Sequence, residues 1–543
     1  MPSGLDGSWL FRRFELLKTR RSPHEPQWRE LNEFIRPTKR KIAQSAMTEG
    51  QRRTERLFDT TASDANRKLA YFLNGSIVSA STRFFTMITR DPDLMRDRDV
   101  AMWLEDNSTR LYMALQQSNF NAGNPQVFSS LSATGNAAVY EEERDVNISG
   151  FNGLRFCVIP VGTYTMDHNA DGDLDTFYRE FTLSAVAAAG KFGLKNLPQY
   201  LQDAYRSKPH ERYEFIHAIV PRPTVEGARG SLPIASYYLD LKEKSVLLQS
   251  GYHEMPVFAP RWETEEGETY GRGPGHIALP DIRSLNRAKE LGLQALPLMI
   301  RPPLQVPHDG IVGGQVRLTP AAQTAVYGDG EIRPILLGSD LKSEMIKTDE
   351  LRQQIRSVFH RDLVALPDKN YMTATEIVKQ LELIYREVGP ALGQIQQEYL
   401  TPMLNRTFGL MWRAGAITPP PDVLAGADLD IEYEGPLARA QRTGDLTALQ
   451  SALSVVAGIA QFDPSAMDRV DTDAVTKEVW ESSGASMRLL RSDQAVKQIQ
   501  GSRAQAAEAQ AQAEQAQRVA DVAATGAQAG KTMNEALQPQ GAA

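Results

Sequence analysis

The sequence predicts an α+β subunit, and three observations carry that reading. Near the N-terminus Leu10, Phe14 and Leu17, then Trp28, Leu31, Phe34 and Ile35, recur at three- and four-residue spacings, the period of an amphipathic helix. From about Val139 to Pro260 the texture changes to short apolar runs between turn residues, as in LRFCVIP, YEFIHAIVP, ASYYLDL and SVLLQS. Such runs read as strands of a mixed sheet. After Pro280 the helical period returns and leads into an Ala/Gln-rich tail.

Taken in order, Pro37 ends the first helical region, and TTASDANRKLAYFLNGSIVS supplies a second. The first sixty residues carry thirteen Lys/Arg against eight Asp/Glu. Their cluster RPTKRK reads more simply as a solvated helix end than as a nucleic-acid contact. Ile282, Leu285, Ala288, Leu291 and Ala295 predict a helix after Pro280, closed by Pro297, Pro302 and Pro303. A Gly/Pro-rich, β-like insert runs to about Gly338, and Leu341, Met345, Leu351, Ile355, Val358 and Phe359 mark another helix.

Beyond the break ALPDKNYM, Thr373 and Glu376 have capping-box spacing. From there Ile377, Leu381, Ile384, Val388, Leu392, Ile395 and Tyr399 keep one face apolar, with Pro390 expected to kink the helix. A linker, GAITPPPDVLAGAD, precedes a helical region to about Gln500. Alanine favours helix in the tail, but the tail has almost no large apolar residues to hold a core.

With 543 residues and 60.3 kDa the chain has room for two to four domains. A net charge of −7 argues against a broad basic face, so any DNA contact is local or loose. The single cysteine, Cys157, can form neither a disulfide framework nor a CxxC site and reads as a core residue. The N-terminus has no apolar stretch of signal-peptide length. The most apolar run, LTALQSALSVVAGIAQF, is broken by Thr447, Gln450, Ser451 and Ser454, too polar for a membrane span. A soluble protein of a reducing cytoplasm is expected.

Three motifs are decoys. GAQAGKT ends like a phosphate-binding loop, but Thr525 stands where the first glycine belongs and no apolar strand precedes it. In DHNADGDLDTFY, Asp167, Asn169, Asp171 and Gly172 open like a calcium loop, yet the twelfth position is Tyr178 rather than an acid; a hairpin turn is the simpler reading. Gly271, Gly273 and Gly275 miss the dinucleotide pattern, whose last glycine would fall at His276. The eight histidines show no HExxH, and Glu263, Glu265, Glu266 and Glu268 read as a solvated run. No catalytic, cofactor or metal constellation emerges, which favours an assembly protein over an enzyme.

Six stretches stand out in order from about Trp28 to Arg503: QWRELNEFIRP, RLFDTTASDANRKLAYFLNGSI, SNFNAGNPQVFSSLSATGNAAVYEEE, RWETEEGETYGRGPGHIALPDIRSLNRAKE, TATEIVKQLELIYREVGPALGQIQQEYLTPML and GASMRLLRSDQAVKQI. In these stretches and their order the chain resembles the head-to-tail connector, or portal, proteins of short-tailed bacteriophages. It implies a ring of twelve copies at one capsid vertex, passing double-stranded DNA without reading its sequence. It also implies partners: the major capsid protein, a scaffold protein, the terminase motor and a tail adaptor, with no membrane. The implied subunit has a wing of helices and sheet (1–278), stem helices (279–298 and 340–363) and a small β-containing clip (299–339). A channel loop (364–373), a kinked wing helix (374–414), an α-helical crown (415–500) and an Ala/Gln-rich tail (501–543), a candidate barrel helix, complete it.

On this plan Asp368, Lys369, Asn370 and Tyr371 face DNA, Lys369 giving a weak phosphate contact that Asp368 limits. Ile282, Leu285, Leu351 and Ile355 are expected to bury stem faces against neighbouring subunits. The rivals are a tail or scaffold assembly protein without a channel and, less well supported, a packaging ATPase.

Overall fold

In the computed structural model the N-terminal periodicity becomes two helices, α1 (Gly7–Arg21) and α2 (Glu25–Phe34). There follow α3 (Thr61–Ile77), β1 (Phe85–Thr89), α4 (Pro92–Met95), α5 (Arg98–Gln117) and α6 (Phe120–Thr134). The turn-rich middle forms β2 (Ala138–Glu143), β3 (Leu154–Ile159), β4 (Tyr164–His168) and β5 (Leu174–Ser184). Two short helices, α7 (Ala185–Phe192) and α8 (Gln199–Ser207), lead to β6 (Arg212–Pro221), β7 (Ile234–Asp240), β8 (Val246–Tyr252) and β9 (Val257–Phe258).

Helix α9 (Pro274–Ile300) precedes an insert of β10 (Leu304–His308), β11 (Gln323–Tyr327) and β12 (Arg333–Pro334). Then come α10 (Leu341–Val358), α11 (Ala374–Ile395), a π-helical turn (Gln396–Leu400) and α12 (Thr401–Arg413). The chain closes with β13 (Leu429–Tyr433), α13 (Pro436–Ala460), α14 (Thr472–Ser482) and α15 (Asp493–Ala536).

The structure describes residues 7–37, 56–95, 97–144, 150–222, 232–308, 318–327, 331–335, 341–360, 374–424, 426, 428–434, 436–460, 462, 470–482, 491 and 493–536. The chain divides into two units. One comprises Met1–Ile88, Leu104–Pro419 and Leu429–Ala440, the other Thr89–Trp103, Pro420–Asp428 and Gln441–Ala543. Most of RPTKRK, the Thr373 side of the capping box and Asp368–Tyr371 lie outside the described residues.

The core of the first unit is a five-stranded meander in the order β4-β5-β6-β7-β8, antiparallel at every pairing. The expected mixed sheet is therefore antiparallel here, because short loops and helical excursions return each strand beside its predecessor. Strands β6 and β7 are buried on both faces, which follows from period-two alternation. Ile216, Ala218, Val220, Ala235, Tyr237 and Leu239 meet Leu10, Phe14 and Leu17 of α1. Phe215 and Tyr238 point the other way, onto Phe192 of α7 and Leu201 of α8. A second antiparallel sheet, β3-β2-β9, lies beside it in sequence. Cys157, expected in the core, is half-buried on β3.

The calcium-like stretch forms the β4–β5 hairpin: Asn169 Oδ1 accepts from the Asp171 and Asp173 amides, and Gly172 takes φ +88°, a side-chain-capped turn. Asp167 pairs with Arg13 and, at 3.6 Å, with Arg20. The GKT sequence lies inside α15. Its amides belong to a helical ladder rather than a phosphate-cradling turn.

Pro297 does not end its helix: Pro280 and Pro297 both lie within α9, which continues to Ile300. Pro390 lies within α11. Regular α geometry gives way at Gln396–Leu400, where the Thr401 amide reaches Gln396 O. Pro402, in the first turn of α12, offers no N–H to the carbonyl four residues upstream, which accounts for the wider turn just before it.

In the second unit no residue from Gln441 to Ala536 whose side chain is described is buried. Among the described residues no helix is long and apolar enough to cross a membrane.

Candidate functional site

The site builds outward from the GRGPG sequence that opens α9. Gly273 and Gly275 press against the last turn of α6: a Cβ on Gly273 would sit 2.5 Å from Leu131 O. One on Gly275 would sit 2.9 Å from the Ala133 carbonyl carbon and closer still to its oxygen. Both neighbours are backbone, so only glycine permits this approach. Asn136 fixes the loop from the side, donating to Gly271 O and accepting from its amide at 2.8 Å each. His276 Nδ1 accepts from the Gly273 amide, and burial pushes its imidazole down to about 4, so it serves as a neutral acceptor. The glycines thus set where and in what direction α9 starts.

The first half of α9 then buries Ala278, Leu279, Ile282 and Leu285. It packs against α6 and α2, and along α10. Asn286, a polar residue on the same buried stripe, is the centre of a joint. Its Oδ1 accepts from the Phe58 and Asp59 amides at 2.9 and 3.2 Å, while its Nδ2 donates to Ile282 O. Asp59 Oδ1 accepts from the Thr61 amide at the start of α3. Its Oδ2 accepts from Arg352 of α10 through Nε and Nη2, at 3.0 and 2.8 Å. Burial pushes the Asp59 carboxyl up, but the Thr61 and Arg352 hydrogen bonds outweigh it and hold the group below its ordinary value. Asp59 therefore ties three helices together, α3 and α10 through its carboxylate and α9 through its amide.

A second anchorage holds the helix that follows. At the π-turn, Glu398 accepts from the Arg261 amide at 2.8 Å and from its guanidinium. Tyr399 donates to buried Asn124 at 2.6 Å. On α12, Thr407 donates to Glu141, and Arg406 to Glu254 O. Burial raises the Glu141 carboxyl to about 7 although Arg406 lies nearby.

Of the residues expected at subunit contacts, Ile282, Leu285 and Ile355 are buried within the chain itself and Leu351 is half-buried. Sequence reasoning missed Asp59, Asn286, Arg352 and the Arg261–Glu398 pair. The available signal was Asn286, an amide interrupting an apolar stripe. The partners, more than two hundred residues away for Asp59, carry no local mark.

The arrangement is a pair of long helices joined by a small β insert and fixed at one end to a sheet-and-helix body. Among the described residues no group of His, Cys, Asp and Glu is placed to hold a metal ion. Among known relatives, the portal protein of Salmonella phage epsilon15 is 29% identical over 542 residues, covering 97% of this chain and 95% of the relative. The probable portal protein of Bordetella phage BPP-1 is 26% identical over 482 residues, 86% of this chain and 85% of the relative. A chain from the neck of an empty GTA particle matches with a TM-score of 0.35 and 12% identity, covering 75% of this chain and 92% of that one. The family model of the bacteriophage head to tail connecting protein matches residues 9–490. That span runs from α1 through the joint and past α14, and the chain belongs to this family.

Proposed function

We propose that this chain is the subunit of a phage portal, a ring at one capsid vertex that serves as the channel for DNA packaging and ejection. The observation that carries the proposal is the family match over residues 9–490, with relatives named as portal proteins aligned over most of both chains. The paired helices and their β insert support it: α9 and α10 are the stem, the insert is the clip and the first unit's sheet and helices are the wing. Twelve copies form the ring. The capsid protein and scaffold meet it inside the shell, and the terminase motor and then a tail adaptor dock outside. Duplex DNA passes without sequence recognition, with Asp368, Lys369, Asn370 and Tyr371 touching it weakly. The subunit acts as structure, not as a catalyst.

Electron microscopy of the purified protein tests this directly. Closed rings with an axial opening are expected; monomers or open filaments at all concentrations overturn the reading. Lys531→Ala leaves assembly and packaging unchanged, and ATP turnover abolished by that change would restore the ATPase rival. Deleting Pro367–Asn370 leaves rings and empty heads intact but lowers the DNA packaged or retained. Normal filling would reduce that loop to a turn.

A further inference from the structure

The apolar stripe of α9 does not stop where its cover stops. Ile282 and Leu285 begin a series that continues through Lys289, Leu293, Leu296 and Ile300 at steps of three and four, which keeps it on one helix face. The upper members are buried, but Leu293 is 56% exposed, Leu296 45% and Ile300 70%. On α10, Thr348 and Ile355 face inward, while Ile346 is 61% exposed and is followed on its own outward stripe by exposed Glu350. Neither Lys289 nor Glu350 has an ion-pair partner among the described residues.

The Asp59 joint sets the heights of these groups. Asn286 and Arg352 meet there, and the core-buried parts are the N-terminal half of α9 and the C-terminal half of α10. The two helices therefore leave the joint in opposite chain directions but toward the same end. At about 1.5 Å per residue, Lys289 lies about 4.5 Å below the joint and Glu350 about 3 Å below it. Leu293 and Ile346 lie about 10.5 and 9 Å below it by the same rise.

We infer that the lower stripe of α9 in one copy docks on the outer stripe of α10 in the next, with Lys289 against Glu350 and Leu293 against Ile346. The inference rests on the ring reading above, because rotational symmetry places each group of a neighbouring copy at its own height. Two different faces of the same chain, complementary in charge and matched in height, make a head-to-tail contact that repeats around a ring. This moves the stem interface away from Ile282, Leu285 and Ile355, which the chain already covers.

Charge reversal tests it, read as the fraction of subunits in rings at fixed concentration. Lys289→Glu and Glu350→Lys each lower assembly at least about tenfold, since like charges then face each other across the contact. The double reversal restores it. Independently, Lys289→Cys with Glu350→Cys, in a Cys157→Ser background, gives a ladder of covalent oligomers on oxidation, and either cysteine alone does not. Unchanged assembly of both single reversals, or no ladder from preformed rings, overturns the surface while leaving the ring reading intact. Failure of the unaltered chain to form any ring overturns both.

Discussion

Gly275→Ala asks whether the start of α9 is fixed by backbone-on-backbone contact. The added methyl would lie 2.9 Å from the Ala133 carbonyl carbon and 3.0 Å from Ile35 Cδ1. Carbon atoms rest at about 3.5–4.0 Å, so α9 or the end of α6 must retreat by roughly 1 Å. Overpacking typically costs about 1–3 kcal/mol. Because the obstacle is backbone rather than a rotatable side chain, the upper end applies, about 3 kcal/mol. In a unit this large that corresponds to a fall of roughly 3 °C in the thermal midpoint.

Circular dichroism melts of freshly purified subunits read the midpoint. Hydrogen exchange reads local opening at 131–135 and 273–279. Gly75→Ala is the control: it sits in α3 with nothing within 4 Å of an added Cβ, and alanine there gains up to about 1 kcal/mol of helix propensity. If Gly275→Ala melts within a degree of the unaltered protein, the close-approach argument fails. It fails equally if both variants shift the midpoint in the same direction.

Three further outcomes are expected. Asp59→Ala and Arg352→Ala each destabilise the joint, and the double variant costs less than the sum, with a coupling of about 1–3 kcal/mol; strict additivity in urea unfolding counts against a shared contact. Glu141, raised to about 7 from 4.5, binds more protons folded than unfolded between those values. Its contribution to stability is therefore full below about 4.5 and is lost as pH rises to about 7, by at most about 3 kcal/mol. Glu141→Gln should flatten that part of the stability-against-pH curve, and an unchanged slope refutes the assignment. Tyr399→Phe removes one buried hydrogen bond to Asn124 and should cost about 1–2 kcal/mol, measured by chemical denaturation, with no change in secondary structure.

Periodicity made α1, α9 and α10 legible because an apolar stripe at steps of three and four has few alternatives. Turn chemistry did the same for the β4–β5 hairpin, where Asn169 and Gly172 mark the reversal. What periodicity cannot state is what covers a stripe. Ile282 and Leu293 look alike in sequence, yet one is buried by its own chain and the other is open to solvent. The Asp59–Asn286–Arg352 joint was hidden because its members are far apart in sequence and each, alone, is an ordinary polar residue. Pro390 drew attention as a kink, whereas the widened turn lies just before Pro402, which has no mark in the apolar pattern.

The π-turn sets a phase. Buried residues follow one another at Ile395, Tyr399, Met403, Thr407 and Met411, always four apart. In an unbroken α-helix each step of four overshoots a full revolution by about 40°, so such a stripe would wind around the helix. One extra residue in the turn takes back about 100° of that rotation and lets α11 and α12 share a common buried side. Removing a single residue from 396–400 would convert the turn to ordinary helix and rotate α11 by about 100° around its axis relative to α12. Substitutions along α11 change what the rod carries, whereas a one-residue indel changes the direction in which all of it is aimed.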